Sequence, residues 1–217
     1  MFTPPQTHDE VIEHMNNLEQ FINVNELSDW DPLVKMAVIH HQFESIHPFY
    51  DGNGRTGRIV NILYLVKEGL LNLPILYLSR YINRNKGDYY RLLQKVRTEN
   101  AWEEWVLYIL DGVEQTSLQT IELIGGIKTV MQKQKHKHKL RTNLPKIYSQ
   151  DLLNNLFRHP YTKIDFVMEE TGVSRKTAAK YLDELDKLGL VSKQKIWKDN
   201  YYINTDLFNL LLNVGEL

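Results

Sequence analysis

Apolar residues recur at helical spacing along most of the chain, and they predict a succession of helices. Val11, Met15, Leu18 and Ile22 follow Thr7 and Glu10, which have the spacing of a capping box, so a first amphipathic helix is expected. Asp31-Pro32 reads as N-cap and first-turn proline of a second helix. Its run Leu33 to Ile46 is apolar on most sides, which places it at the centre of a core. Ile59, Ile62, Leu63 and Val66 predict a third helix, closed by Gly69. Leu70 to Leu78 reads as an apolar connection interrupted by Pro74. Asp88 is expected to cap a helix carrying Tyr89, Tyr90, Leu93 and Val96, and Asn100 and Glu103 to open another, with Trp102, Trp105, Val106, Ile109 and Val113 on its apolar side. That pattern continues through Leu118, Ile121 and Ile124, and Gly125-Gly126 is its expected break.

The pattern then changes. Lys128, Lys133, Lys135, His136, Lys137, His138, Lys139 and Arg141 form a basic tract that reads as a solvated helix end or linker between two domains. Beyond Leu144, one helix is expected over Leu152 to Phe157 and a second over Lys163 to Glu170. Gly172-Val173 makes a turn, and Ser174 caps a third helix with Ala178, Leu182, Leu185 and Leu188 inward and Gly189 at its end. Leu190 to Gln194 and Trp197 to Ile203 read as two strands around a polar turn at Lys198-Asp199-Asn200. Helix, helix-turn-helix and hairpin in that order resemble a winged helix-turn-helix domain. The resemblance would bring Arg175, Lys176, Thr177 and Lys180 to DNA, with Lys193, Lys195 and Lys198 along the phosphates. Asp183, Glu184 and Asp186 crowd the later part of the same helix, and such domains also bind proteins, so both kinds of partner stay open. The fold class expected is mainly α: an all-helical core over 1–116, a helical basic connection over 117–143, and a small α+β winged-helix domain over 144–217.

Composition narrows the chemistry. The 217 residues carry a net charge of −1, so no global field draws the protein to nucleic acid or anionic lipid, and any such binding must be local. There is no cysteine, which removes disulfides, thiol catalysis and cysteine-ligated metals. Met1-Phe2-Thr3-Pro4-Pro5 has the features of neither a signal peptide nor a membrane anchor, so a soluble, cytoplasmic protein with no membrane partner is expected.

The densest chemistry lies in His47-Pro48-Phe49-Tyr50-Asp51-Gly52-Asn53-Gly54-Arg55-Thr56-Gly57-Arg58. Glycines let the backbone turn to positive φ and approach a ligand, so that successive N–H groups converge on phosphate oxygens. The third helix begins there, and its dipole and unpaired N–H groups favour an anion. Arg55 and Arg58 add charge-assisted bonds to that anion. His40 and Glu44, in the second helix with His41, have a spacing that suits a metal pair. With no third ligand evident, they read instead as polar groups that orient the loop.

The stretch matches the H-P-F-x-D/E-G-N-G-R-x-x-R signature of the Fic (Fic/Doc) family without a departure, and the chain resembles its members. The resemblance implies transfer of AMP from ATP to a Ser, Thr or Tyr hydroxyl of a protein substrate. His47 would be the general base, Asp51 would hold Mg2+, and Gly52, Asn53 and Gly54 would donate to the α- and β-phosphates. Arg55 would neutralise the pyrophosphate and Arg58 the γ-phosphate, with Thr56 and Gly57 completing the nucleotide loop. Pro48 would close the preceding helix and Phe49 would anchor the loop in the core. Tyr89 and Tyr90, with Arg97 beside them, are carried over as residues shaping the nucleobase pocket, and a homodimer is implied as well. No S/T-x-x-x-E-G/N regulatory segment matches, and the chain is expected to begin after the flap that aligns target peptides in relatives. Some relatives transfer UMP, phosphate or phosphocholine instead. The rival reading is a DNA-binding regulator or antitoxin-like component whose core binds nucleotide without turnover.

Overall fold

The structure, a computed structural model, describes residues 3–141 and 149–213. It is mainly helical with one three-stranded sheet near the C-terminus, and it divides into two compact units, Met1–Thr120 and Ile121–Leu217. Among the described residues no helix is long and apolar enough to cross a membrane.

In the first unit, α1 (His8–Asn23) starts on the expected capping box: Glu10 N–H donates to Thr7 Oγ1 at 3.3 Å, and the Glu10 carboxylate accepts from Thr7 N–H at 3.2 Å. α2 (Pro32–Ile46) opens on Asp31, whose Oδ1 accepts from Leu33 N–H at 2.8 Å. Met36, Ala37, Ile39, Phe43 and Ile46 are almost wholly buried, so α2 is the axis of this core. Each large apolar side chain so buried contributes about 1.5–3 kcal/mol. Even Lys35 is buried, its ammonium 5.1 Å from the centre of the Phe21 ring. α3 (Asn53–Lys67) packs along α2 and ends in a Schellman motif at Gly69 (φ 72°), with Leu70 N–H bonded to Leu65 C=O and Gly69 N–H to Val66 C=O.

Three expectations need correction here. The expected connection Leu70 to Leu78 runs into a short helix that the pattern did not predict, α4 (Leu78–Arg84), which buries Leu78 and Ile82. α5 (Lys86–Glu99) begins before Asp88, which sits in its first turn and pairs with Arg91 at 2.9 Å instead of capping. Gly125-Gly126 does not break α6, which runs Trp102–Arg141. Trp105, near its start, is fully buried and donates to Ala37 C=O at 2.8 Å. The two units divide within α6, and the expected connection 117–143 is helical as far as Arg141. Residues 142 and 143 and Leu144, where the second domain was expected to open, lie outside the described residues, as do the side chains of the basic tract beyond Lys135.

In the second unit, α7 (Gln150–Arg158), β1 (Tyr161–Thr162), α8 (Ile164–Thr171) and α9 (Arg175–Lys187) precede a hairpin of β2 (Ser192–Ile196) and β3 (Asp199–Ile203). The sheet order is β1-β3-β2, antiparallel throughout, with Tyr161 opposite Ile203 and Lys193 opposite Tyr202. Ile196 faces Asp199, so the turn is Trp197-Lys198 and not the expected 198–200. Neither β1 nor α10 (Thr205–Asn213) was expected from the pattern. Leu152, Leu156, Val167, Ala178, Leu182, Leu185 and Tyr202 form this unit's core. Asn204 joins its parts: Oδ1 accepts from Gln134 Nε2 at 2.8 Å and Nδ2 donates to Leu156 C=O at 3.1 Å.

Candidate active site

The end of α2 and the start of α3 are built to turn the chain sharply. His47 caps α2 in the left-handed conformation (φ 52°, ψ 55°), its N–H bonded to Phe43 C=O at 3.0 Å. A non-glycine residue there costs about 1–2 kcal/mol, and the bend carries the imidazole off the helix to an exposed position on the cleft wall. Pro48 follows directly and cannot continue the helix. The chain then re-enters a helix through Gly52, at φ 90°, which caps α3 without a side chain. The first N–H groups of α3, those of Asn53, Gly54 and Arg55, therefore have no intrahelical carbonyl to meet.

Asn53 closes the loop between them. Its Oδ1 accepts from Phe49 N–H at 2.9 Å and its Nδ2 donates to Phe49 C=O at 2.6 Å, so its buried amide locks the loop and only its backbone N–H is left for a ligand. Phe49 is anchored by that backbone clamp; its ring is 49% exposed, against the expectation that it would be buried in the core.

The loop and α3 line a cleft of about 380 Å³ with α4 and α5. His47, Asp51, Gly52, Asn53, Gly54, Arg55, Arg58, Tyr89 and Tyr90 all line it. Asp51 and Arg55 pair at 2.9 Å on its outer edge, both largely exposed, and a pair of that kind contributes at most about 1 kcal/mol. Arg58 Nε donates to Ser79 Oγ at 2.7 Å, a partner on α4. Thr56 and Gly57 do not line the cleft. Gly57 faces α2 instead: a Cβ there would lie 3.0 Å from Glu44 Oε1, 3.1 Å from Phe43 Cδ1 and 3.3 Å from His40 Cε1.

The two tyrosines separate. Tyr89 is buried and its hydroxyl lies 3.0 Å from His40 Nε2, while Tyr90 is 56% exposed on the cleft, with Lys86 Nζ 5.9 Å from its ring centre. Burial, reinforced by the Arg58 charge, pushes the His40 pKa down to about 3, so His40 is a neutral partner for Tyr89 throughout the physiological range. Burial likewise pushes the Tyr89 hydroxyl far above its usual value. Arg97 lies apart from this cleft: its guanidinium bonds Ser45 Oγ at 2.9 and 3.1 Å at the C-terminal turn of α2. His40 and His41 were expected to orient the loop; their Nε2 atoms meet Tyr89 Oη at 3.0 Å and Leu93 C=O at 3.2 Å, both on α5, and the described residues contain no cluster of three or more His, Cys, Asp or Glu able to hold a metal.

Glu44 went unpredicted as a cleft residue. Its Oε1 is buried without a hydrogen-bond partner among the described residues, and burial raises its pKa against the opposing charges of His47, Arg58 and Arg97. Ser79, Asn83 and Lys86 were missed as well, because nothing in the local pattern connects α4 to the loop. Glu44 could have been found from its place one helical turn before His47.

A left-handed residue bearing an imidazole, set beside a helix N-terminus with two arginines, is a donor set whose chemistry suits an anionic, phosphate-like group. Residues 1–65 match the Fic/DOC family, and residues 131–207 match the family described as "Protein adenylyltransferase SoFic-like, C-terminal domain". The chain is therefore similar to the Fic/DOC family in its N-terminal part and to the SoFic-like C-terminal domain further on. It is 47% identical over 53 residues to "Probable protein adenylyltransferase aq_aa38" of Aquifex aeolicus (strain VF5), a match covering 24% of this chain and 17% of that one. It is 31% identical over 127 residues to "Protein adenylyltransferase fic-1" of Caenorhabditis elegans, covering 58% of this chain and 23% of that one. The crystal structure of a Fic family protein from Desulfovibrio desulfuricans G20 aligns with 94% of this chain and 59% of its own, at 21% identity and a TM-score of 0.47. The chain spans between 17% and 23% of the length of the curated relatives it matches.

Proposed function

We propose that the first unit is a protein adenylyltransferase, moving AMP from ATP to a Ser, Thr or Tyr hydroxyl of a protein substrate. The observation that carries this reading is the placing of His47 on one wall of a cleft whose floor is the unpaired first turn of α3. The names of the relatives point to the same reaction. An incoming hydroxyl oxygen attacks the α-phosphorus as its proton passes to His47, and the bond from that phosphorus to the bridging oxygen breaks to release pyrophosphate. The N–H groups of Asn53, Gly54 and Arg55 stabilise charge that builds on the transferred group. Arg55 and Arg58 hold the outer phosphates, for which Arg55 leaves Asp51 and Arg58 leaves Ser79. Tyr90 and Lys86, on the open side, suit contact with the nucleoside, and Tyr89 shapes the wall behind them through His40.

Magnesium fits this donor set. A single exposed carboxylate, Asp51, stands at the mouth of a phosphate cleft, and Mg2+ takes one or two carboxylates and completes its shell with phosphate oxygens and water. Held there, the ion would neutralise phosphate charge. A homodimer, carried from the family resemblance, and a cytoplasmic location, read from the sequence itself, belong to the same reading. The test is incubation with ATP labelled at either the α- or the γ-phosphate: α-label becoming covalent with γ-label lost supports AMP transfer, whereas retained γ-label or no covalent label defeats it.

A second function is assigned to the C-terminal unit, read as a winged helix-turn-helix that binds DNA. Between Ser149 and Asn213 the chain carries nine Lys and Arg and nine Asp and Glu. Arg158, Lys163, Arg175, Lys187 and Lys193 form ion pairs with acidic residues of the same unit. The four cations without an ion pair among the described residues are Lys176, Lys180, Lys195 and Lys198, all exposed. They lie on the first half of α9 and the free end of the hairpin, where the fold resemblance would place DNA. Of the contacts expected on α9, Arg175 is paired with Asp165 and Thr177 closes the Ser174 cap, so the lysines are the groups left for phosphate. Loss of affinity with rising salt in an anisotropy titration on duplex DNA would support this; salt-independent or absent binding would defeat it.

A further inference from the structure

The tip of the hairpin breaks two rules at once. Two-residue hairpin turns favour Asn-Gly or Asp-Gly, because the backbone turns left-handed there. This turn is Trp197-Lys198, and Trp197 takes φ 57° with its side chain 94% exposed. Among the described residues its indole makes no hydrogen bond and no ring contact. A large aromatic in a strained conformation, packed against nothing, contributes nothing to the fold that carries it. An isolated exposed tryptophan on a turn that glycine or asparagine would fill more easily is therefore explained by a partner.

The neighbouring charges say which partner. Lys195 and Lys198 flank Trp197, are exposed, and form no ion pair among the described residues. Lys193, further back on the strand, is held by Asp183 at 2.7 Å and lies over the Tyr202 ring. From Ser192 to Lys198 there are three lysines and no acid, and the first acid beyond them, Asp199, is occupied by Lys163 at 3.1 Å. An apolar protein surface would leave two unpaired ammonium groups at its edge. A nucleic acid uses all three side chains: each lysine takes a phosphate, and the indole between them meets sugar and base edges in the groove.

We infer that Trp197 is a DNA contact, an apolar wedge carried by the hairpin into a groove of duplex DNA between the phosphates held by Lys195 and Lys198. The inference rests on the DNA-binding reading of this unit and adds the residue that supplies its non-ionic part. The two kinds of contact separate by their response to salt. Each phosphate-bound lysine adds about 0.9 to the slope of log affinity against log salt, whereas an indole releases no counterions.

The experiment is an anisotropy titration of a fluorescein-labelled mixed-sequence duplex with the full chain, over a salt series, for the parent protein, Trp197→Ala, Trp197→Phe and Lys195→Ala/Lys198→Ala. Because Trp197 is exposed, circular dichroism should be unchanged in all four. Trp197→Ala should weaken binding about tenfold at every salt concentration with an unchanged slope, the size expected for one aromatic–base contact. Trp197→Phe should recover most of that loss. The lysine pair should lower the slope by about 2. If Trp197→Ala binds as the parent does, the wedge is refuted while DNA binding stands. If the parent binds no duplex even at low salt, both readings fall, and labelling with ATP would still test the first unit independently.

Discussion

Replacing Gly57 by alanine tests how tightly α3 is held against α2, and hence what fixes the cleft. The added Cβ would stand 3.0 Å from Glu44 Oε1, 3.1 Å from Phe43 Cδ1 and 3.3 Å from His40 Cε1. None of the three can give way freely, since His40 is fully buried and bonded to Tyr89, Phe43 is 2% exposed, and Glu44 Oε1 is enclosed. Overpacking of this kind costs about 1–3 kcal/mol. Alanine's better helix propensity returns about 0.8–1 kcal/mol, so a net loss centred near 1 kcal/mol and reaching about 2 kcal/mol is expected. For a unit of this size that lowers Tm by about 3–10 °C. Gly87→Ala is the control: it lies in α5 with no heavy atom within 4 Å of its Cβ position, so it should be neutral or stabilising by about 0.5 kcal/mol. Thermal unfolding followed by the fluorescence of buried Trp105 measures both. A Gly57→Ala protein as stable as the parent would mean that α3 can shift, and that its N-terminus is not held rigidly beside His47.

Stability should fall with acid through two histidines. His40 and His41 have folded pKa values pushed by burial to about 3 and about 4, below the unfolded value of 6.5, so the unfolded chain gains protons first as pH drops. Their contribution is full above about pH 6.5 and is lost toward pH 4, at up to ~1.4 kcal/mol per pH unit for each; chemical denaturation at several pH values should show this slope, and His40→Gln should reduce it. Glu44→Gln should stabilise the first unit at neutral pH, because burial raises the Glu44 pKa and the amide removes a charge held in the interior, and the gain should shrink in acid; a destabilised variant at neutral pH would show that the carboxylate has a partner. Trp197→Gly should stabilise the second unit by roughly 0.5–1 kcal/mol, since glycine relieves a left-handed cost of about 1–2 kcal/mol and returns about half of it as unfolded-state entropy. Denaturant unfolding would measure that gain, and a loss would mean that the indole packs in the folded state.

What the sequence disclosed was mostly local. The Thr7–Glu10 capping box, the Asp31-Pro32 start of α2 and the Gly69 stop of α3 depend on neighbours within one turn, and all three form. α4 escaped because only Leu78 and Ile82 mark its buried side and no side chain caps it. Gly125-Gly126 looked like a break, yet a Cβ at Gly126 would come within 2.9 Å of Leu210, so that glycine gives room to a neighbour inside an unbroken helix. The hairpin turn was misplaced by a residue or so because no propensity favours a left-handed tryptophan. In the candidate site, the run from His47 to Arg58 was legible as one continuous piece of chemistry. Reading Gly57 as a ligand contact overlooked its helical face: Asn53, Gly57 and Asn61 are each one turn apart, and all are buried. The Arg58–Ser79 bond, the His40–Tyr89 pair and the Lys86–Tyr90 approach join segments that are distant in the chain, and no single-sequence pattern connects them.

The central claim is that His47 takes the proton of a hydroxyl whose phosphorus target is held at the start of α3. Transfer from α-labelled ATP, measured for His47→Ala and the parent at ATP concentrations that calorimetry shows to saturate both, tests it most directly. The account predicts equal nucleotide binding and at least about a hundredfold slower covalent labelling in the variant. Equal labelling rates at equal occupancy would contradict it.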